Sequence, residues 1–229
     1  MNKWTVNYGG MDFALAYPNA TDAIPAQWQM YQTFYEYGVL HALAQMRLRG
    51  VYVDVGANVG NHAVFFAAFC PSTLVVCVEP VVELLPYLVE NMRTNTRCHP
   101  YMVVPFAVSD GCGNGSIQYG RTPDLGGGEL NRSTGAGIVQ TLDALTAGLG
   151  KIALLKLDVE NHEFPAIRGA KKLLSDPARR PDVVVVEAWC ADALRTNTEA
   201  LRKHGYTNWN KVEGNWCPTY IYEGEWYRG

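Results

Sequence analysis

Five short apolar runs recur along the chain: VYVDV (51–55), TLVVCVE (73–79), YMVVPFAV (101–108), IALLKLDV (152–159) and DVVVVEAW (182–189). Runs of this length with little polar alternation read as strands buried on both faces. Between them, 59–69, 81–95, 162–174 and 192–205 have helical character. Apolar strands alternating with helices form a mostly parallel sheet with helices on both faces, so the fold class is α/β. Upstream, 1–27 reads as short strands and turns, and 28–48 as one helix striped by Tyr31, Phe34, Tyr35, Leu40, Leu43 and Met46. Residues 109–137 break the rhythm. They are glycine-rich, with one strand candidate at SIQY (116–119). The part from 121 to 137 reads as a lid or binding loop, with Arg121 and Arg132 as polar contacts. The tail reads as a terminal hairpin turning at Glu213-Gly214-Asn215. With 229 residues and 48% apolar composition, one large domain is expected, residues 1–50 packing on a core of 51–229.

Composition narrows the partners. The net charge is -3 and the basic residues are scattered, which disfavours a nucleic-acid surface. No stretch is long and apolar enough to span a membrane, and MNKWTVNYGG lacks a signal core. The six cysteines include no CxxC pair, which argues against a thiolate metal site or redox motif. A soluble protein of a reducing compartment, the cytoplasm, is expected.

Open parallel sheets bind ligands at the carboxyl ends of their strands. Those ends carry Asp54-Val55-Gly56, Glu79-Pro80, Ala107-Val108-Ser109-Asp110, Asp158-Val159-Glu160 and Glu187-Ala188-Trp189. Helix capping explains one or two such acids, but not Glu187 after VVVV or Asp158 inside KLDVE. The first end is G-A-N-V-G, with Gly56 and Gly60 four apart and Asn58 where a dinucleotide fingerprint has its middle glycine. NAD and FAD are therefore disfavoured, and no Gly-Lys-Ser/Thr follows to make a nucleotide-triphosphate loop. S-adenosylmethionine fits better. Its carboxylate suits a helix N-terminus, its ammonium suits Asp54, and its ribose hydroxyls suit Glu79, 23 residues beyond Gly56.

The chain resembles the FkbM-type family of S-adenosylmethionine-dependent O-methyltransferases. The resemblance rests on VDVGANVGNH (53–62), VEP with Asn91 and Asn95 in the helix after it, and above all TLD (141–143) followed by LLKLDVENHEFPAIRGAKKLL (154–174). FAVSDGCGNGSI (106–117) and the pair Tyr35-Glu36 add to it, and the whole covers roughly residues 31–190. The chain departs from the family where the usual glycine after Glu160 is Asn161, followed by His162. The resemblance implies a Rossmann-like class I methyltransferase with a seven-stranded sheet and a reversed last strand. It also implies transfer to a hydroxyl, often on a sugar or a natural-product scaffold. The candidate cofactor-binding residues are Asp54, Gly56, Asn58, Gly60, Asn61, Glu79, Pro80, Ala107, Val108 and Asp158.

Alcohols are poor nucleophiles, so methyl transfer to one needs a base or a metal. The catalytic candidates are Asp158, Glu160, His162 and Glu187, with Asp158 or His162 as base and Glu160 and Glu187 orienting the acceptor. A second-ranked variant places a divalent metal on Asp158 and Glu187. Lys156, inside an apolar strand, is expected to pair with an acid, and Glu163 to sit in the first turn of a helix as a dipole partner. The acceptor is expected to be a small-molecule or glycan hydroxyl. A phenol, carboxylate or protein side chain is an alternative acceptor, and a catalytically silent cofactor-binding module an alternative of another class. One measurement separates the cofactor readings. S-adenosylhomocysteine at 100 times its Kd should raise stability by about 2.7 kcal/mol and shift the melting temperature accordingly, while NAD should not. A shift with NAD alone would remove the assignment.

Overall fold

The computed structural model describes residues 1–119, 124–212 and 217–227. The chain opens with an antiparallel hairpin, β1 (Asn2–Tyr8) and β2 (Met11–Tyr17), then α1 (Ala23–Tyr31) and α2 (Tyr37–Gln45). The alternating part follows as β3 (Gly50–Val55), α3 (Asn61–Phe69), β4 (Ser72–Val78), α4 (Leu85–Asn95) and β5 (Tyr101–Val104). Next come β6 (Ala107–Val108), β7 (Gly113–Gln118), β8 (Glu129–Asn131), β9 (Gly137–Gln140) and α5 (Leu142–Leu145). The rhythm resumes with β10 (Ile152–Leu157), α6 (Glu163–Arg168), α7 (Lys171–Ser175), β11 (Val183–Glu187) and α8 (Ala191–Arg202), and ends with β12 (Asn208–Val212) and β13 (Thr219–Glu223).

The main sheet has the order β12-β13-β11-β10-β3-β4-β5. Pairing is parallel from β5 through β11, and β13 is antiparallel to both β11 and β12. This matches the mostly parallel seven-stranded sheet with an antiparallel C-terminal hairpin. Strand order reverses between β3 and β10, where a crevice opens at the carboxyl ends.

Side-chain alternation sends one set of residues to each face. Tyr52, Val75, Cys77, Leu154, Val183 and Val185 pack beneath the hairpin and α1–α4. Val51, Val53, Val55, Leu155, Leu157 and Val184 pack beneath α5–α8. A register shift between Ile152 and Leu154 puts Ala153 and Leu154 on the same face and resets the alternation. That reset leaves Lys156 on the face of Tyr52 and Asp54, inside the protein.

Three expected elements divide and one expected loop gains a strand, each for an identifiable reason. The helix expected over 28–48 becomes α1, starting at Ala23, and α2, with left-handed breaks at Gln32 and Glu36. The Asn61 amide takes both backbone groups of Tyr35, accepting from its N–H and donating to its C=O at 3.0 Å each. Those groups are then lost to a continuous helix. Pro105, without an N–H, ends β5 before β6 leaves to pair with β9. The helix expected over 162–174 divides into α6 and α7 because Asp143 accepts from Lys172 N–H (3.0 Å) and Leu173 N–H (2.8 Å), starting a new helix there. Thr141 Oγ1 in turn caps α5 by accepting from Ala144 N–H. The TLD motif is thus a pair of helix caps. Finally, 121–137 is not all loop, since Glu129–Asn131 pairs with β7. The Glu213-Gly214-Asn215 turn lies outside the described residues.

Asn91 and Asn95, one helical turn apart on α4, bond residues two apart on β2. Asn95 accepts from and donates to the backbone of Ala14 at 3.1 Å. Asn91 accepts from Ala16 N–H, and donates to Ala16 C=O (2.9 Å) and Val59 C=O (2.7 Å). Asn91→Ala would leave three buried backbone groups unpaired at about 1–3 kcal/mol each. The variant should lose at least ~2 kcal/mol in urea denaturation, and a loss below ~0.5 kcal/mol would refute this role.

Gly56 is left-handed at φ +80, and a Cβ there would lie 1.7 Å from the Asp158 carbonyl oxygen. Gly56→Ala should therefore cost ~3 kcal/mol or more, from the contact plus the αL penalty. Near-wild-type stability in the same assay would show that β3 and β10 can separate freely.

Candidate active site

The crevice holds two connected lobes. The smaller is about 50 Å³ and has apolar walls that include Pro80, Val81, Phe106, Ala107, Val108 and Leu130. The larger is about 620 Å³, within the ordinary range for ligand sites. Gly56, Glu79, Gly126, Asp158 and Glu160 line both.

The turn after β3 is built by backbone bonds. Gly56 N–H and Ala57 N–H both donate to Val78 C=O, at 2.9 and 3.1 Å, and Asp158 N–H donates to Val55 C=O at 3.1 Å. Asn58, itself left-handed, donates its N–H to Glu79 Oε2, and Val81 N–H donates to Glu79 Oε1, each at 2.8 Å. Glu79 is thereby fixed between the turn and the strand end. Each of its oxygens keeps a further lone pair for a ligand hydroxyl. Burial pushes its carboxyl up to about 7 against the pull of the two N–H donors.

Three of the residues expected to bind cofactor do not line the crevice. Asp54 is 0% exposed and stands 3.2 Å from Lys156 Nζ, beneath the site. Its oxygens accept no hydrogen bond within the described structure, and the contact it makes there is the ion pair with Lys156. Asn61 is spent on Trp28 Nε1 (2.9 Å) and on Tyr35. Gly60 is αL, and a Cβ there would meet Leu88. Asn58, Glu79, Pro80, Ala107, Val108 and Asp158 do line it, as does Gly56.

Lys156 donates to Asp158 Oδ2 at 3.1 Å. Burial works against its charge, but Asp158, Asp54 and Glu36 outweigh that and hold the ammonium charged. Glu36 accepts from Thr219 Oγ1 (3.2 Å) and lies 3.1 Å from His62 Nε2. Burial raises it, yet His62, Lys156 and Thr219 prevail and keep it below the usual carboxylate range.

The four catalytic candidates part company. His162 opens α6 and lines only the smaller lobe, where its Nε2 is 2.9 Å from Ser109 Oγ. Burial lowers its pKa. Glu187 lines only the larger lobe, while Asp158 and Glu160 reach both. Glu160 and Asn161 are both left-handed, at φ 51 and 66. Asparagine tolerates that conformation nearly as glycine does, so Asn161 preserves the backbone a glycine would give. Burial, then Asp158 and other carboxylates, push Glu160 up to about 8. Glu163 is more than a dipole partner. It is buried, accepts from Val159 N–H at 3.0 Å and is pushed up to about 7, chiefly by burial. Among the described residues, no group of three or more His, Cys, Asp or Glu is placed to hold a metal ion, so Asp158 and Glu187 have no third ligand there.

Sequence reasoning missed part of the wall. Asp22, Ile24, Pro25 and Met30 from the N-terminal segment line the larger lobe, together with Tyr35, Asp124 and Trp189. Asp124 accepts from Ala23 N–H (3.2 Å) and Gly126 N–H (2.8 Å), tying the glycine-rich segment to α1. Arg132 instead donates to Gly111 C=O at 2.7 Å, away from the crevice, and Arg121 lies outside the described residues. Of these residues Trp189, at a strand end, Tyr35, in a family motif, and Asp124, in the expected binding loop, carried a sequence signal.

Comparison with known proteins gives the family and the fold. No curated protein matches the chain. Among solved structures, a precorrin-6y C5,15-methyltransferase from Geobacter metallireducens is similar at TM-score 0.52 and 14% identity, covering 81% of this chain and 86% of that one. An O-methyltransferase from Bacillus cereus, solved with SAH, is similar at TM-score 0.50 and 12% identity, covering 90% and 84%. These likenesses establish the Rossmann-like methyltransferase fold. The methyltransferase FkbM domain model matches residues 54–206, well over half of the chain. The chain therefore belongs to the FkbM methyltransferase family and is an S-adenosylmethionine-dependent methyltransferase.

Proposed function

We propose that the protein transfers a methyl group to a hydroxyl of a sugar or glycan, with Glu160 as general base. The observation that carries this reading is a pair of carboxyls, Glu160 and Glu187, on the lining of a 620 Å³ cavity and free of hydrogen bonds among the described residues. They stand beside Tyr35 and Trp189. Carboxyls with open lone pairs suit polyhydroxylated ligands, and aromatic faces suit the apolar faces of sugar rings. The described lining contains no Lys or Arg, which argues against a nucleic-acid acceptor. All six thiols are free, which supports a reducing compartment such as the cytoplasm.

The residues present fit the cofactor. Glu79 suits the ribose hydroxyls, the apolar lobe of Pro80, Ala107 and Val108 suits the adenine, and the first turn of α3, where His62 lines the larger lobe, suits the carboxylate. When bound, S-adenosylmethionine supplies a methyl group activated by its sulfonium. The chain must align the acceptor oxygen with that methyl and remove the hydroxyl proton as the new bond forms. Asp158 already gives one oxygen to Lys156, and His162 is engaged with Ser109 in the other lobe. Glu160 is free to take the proton, and its pKa near 8 is well matched to that task.

Because burial raises Glu160, its basic form accumulates as pH rises. Activity should climb with pH along a limb at or somewhat below about 8, the cationic cofactor favouring the carboxylate. Glu160→Gln should lower kcat by ~10²–10⁴ with little change in S-adenosylhomocysteine affinity, and should erase that limb. An unchanged limb in Glu160→Gln, or a loss of less than threefold, would move the base role to another residue.

A further inference from the structure

Six carboxyls line the larger lobe: Asp22, Glu79, Asp124, Asp158, Glu160 and Glu187. Asp22 accepts from Asn19 Nδ2 at 3.2 Å, and backbone N–H groups satisfy Glu79 and Asp124. Lys156 holds Asp158. With Glu160 assigned to the proton, Glu187 is left over. It is the last residue of β11, only 5% exposed, on the cavity wall, and its carboxyl makes no hydrogen bond among the described residues. Its oxygens open onto the cavity rather than into the core, so a ligand group is the partner to look for.

The cofactor does not supply one readily. Glu187 is three strands across the sheet from Glu79, about 14 Å at the usual strand spacing. It lies on the far side of Asp158 from Glu79, since the strand of Asp158 stands between β11 and β3. Trp189, two residues beyond the strand end, is 48% exposed and lines the same lobe. A carboxyl and an aromatic face at one wall suit an ammonium, by ion pairing and by cation–π attraction. The charge balance points the same way. The cofactor brings a net charge near +1, and Lys156 is shared between Asp54 and Asp158. The described lining therefore keeps an excess of acid, which an anionic acceptor would meet as repulsion.

We propose that the acceptor bears a protonated amine close to the hydroxyl that is methylated, as in an amino sugar, and that Glu187 binds this ammonium. The proposal rests on the hydroxyl-methylation reading above and narrows it. Burial and the neighbouring carboxyls Asp158, Glu36 and Glu160 hold the unliganded Glu187 neutral, raised to about 10 against Lys156, so an arriving cation would draw out its charge.

The test compares four acceptors at saturating S-adenosylmethionine: methyl glucosaminide, its N-acetyl form, methyl glucoside and methyl glucuronide. Methyl transfer is followed by mass spectrometry, and Kd for S-adenosylhomocysteine by calorimetry. The amino form should exceed the N-acetyl form in kcat/KM by ~10-fold or more, with the glucuronide lowest. Glu187→Gln should collapse that preference to less than ~3-fold, Glu187→Asp should retain part of it, and both should bind S-adenosylhomocysteine within ~3-fold of wild type. Equal use of amino and neutral sugars by wild type would overturn the proposal while leaving sugar methylation standing. A large loss of S-adenosylhomocysteine affinity in Glu187→Gln would also overturn it, by giving Glu187 to the cofactor. No transfer to any of the four would overturn both readings.

Discussion

The ends of two neighbouring strands come as close as backbone can approach backbone. The Asp158 carbonyl occupies the space where residue 56 would carry a Cβ. Only glycine permits this, and it lets β3 and β10 finish at one level across the point where strand order reverses. The Asp158 N–H to Val55 C=O bond closes the junction. From it follow the turn at 56–60, the seat of Glu79 on Asn58 N–H, and the projection of Asp158 and Glu160 over the same crevice. The glycine spacing in the sequence serves this contact between strands as much as any approach to a ligand.

Under the junction lies a lysine where an aliphatic residue would be expected. Lys156 is buried beside Asp54 and Asp158, and burying a lone cation would be costly. Asp54 has no exposed surface and stands against Lys156 rather than on the cavity wall. Together the pair forms a charged floor for the site. Such a floor orients Asp158 while leaving Glu160 and Glu187, above it, without partners. The carboxyls then differ in state through their surroundings, as acids in one cleft commonly do.

The sheet was legible because a strand buried on both faces has to be apolar along its length, and VVVVE and IALLKL are. The strand-end rule then located Glu79, Asp158, Glu160 and Glu187, all of which reach the crevice. What stayed hidden depended on partners far away in the chain. Nothing near residue 35 signals that Asn61 will take its backbone groups, and nothing near residue 170 signals that Asp143 will begin a helix there. Depth was hidden as well: Asp54 and Glu79 are both acids at strand ends, and only the packing above them decides which one meets the crevice. Asp22 comes from an irregular segment that no pattern marked, and for Asp124 the glycine-rich run marked the loop but not the residue.

The paired amides of Asn91 and Asn95 have a consequence beyond holding a helix to a strand. β2 has β1 along one side, and on the other its outward N–H and C=O groups at Ala14 and Ala16 would stand open to any extended peptide. The two asparagines fill that row as a neighbouring strand would. They close an edge that could otherwise template strand addition by a second chain. The β2 side of this aromatic-rich hairpin is therefore closed to strand addition by the helix packed against it.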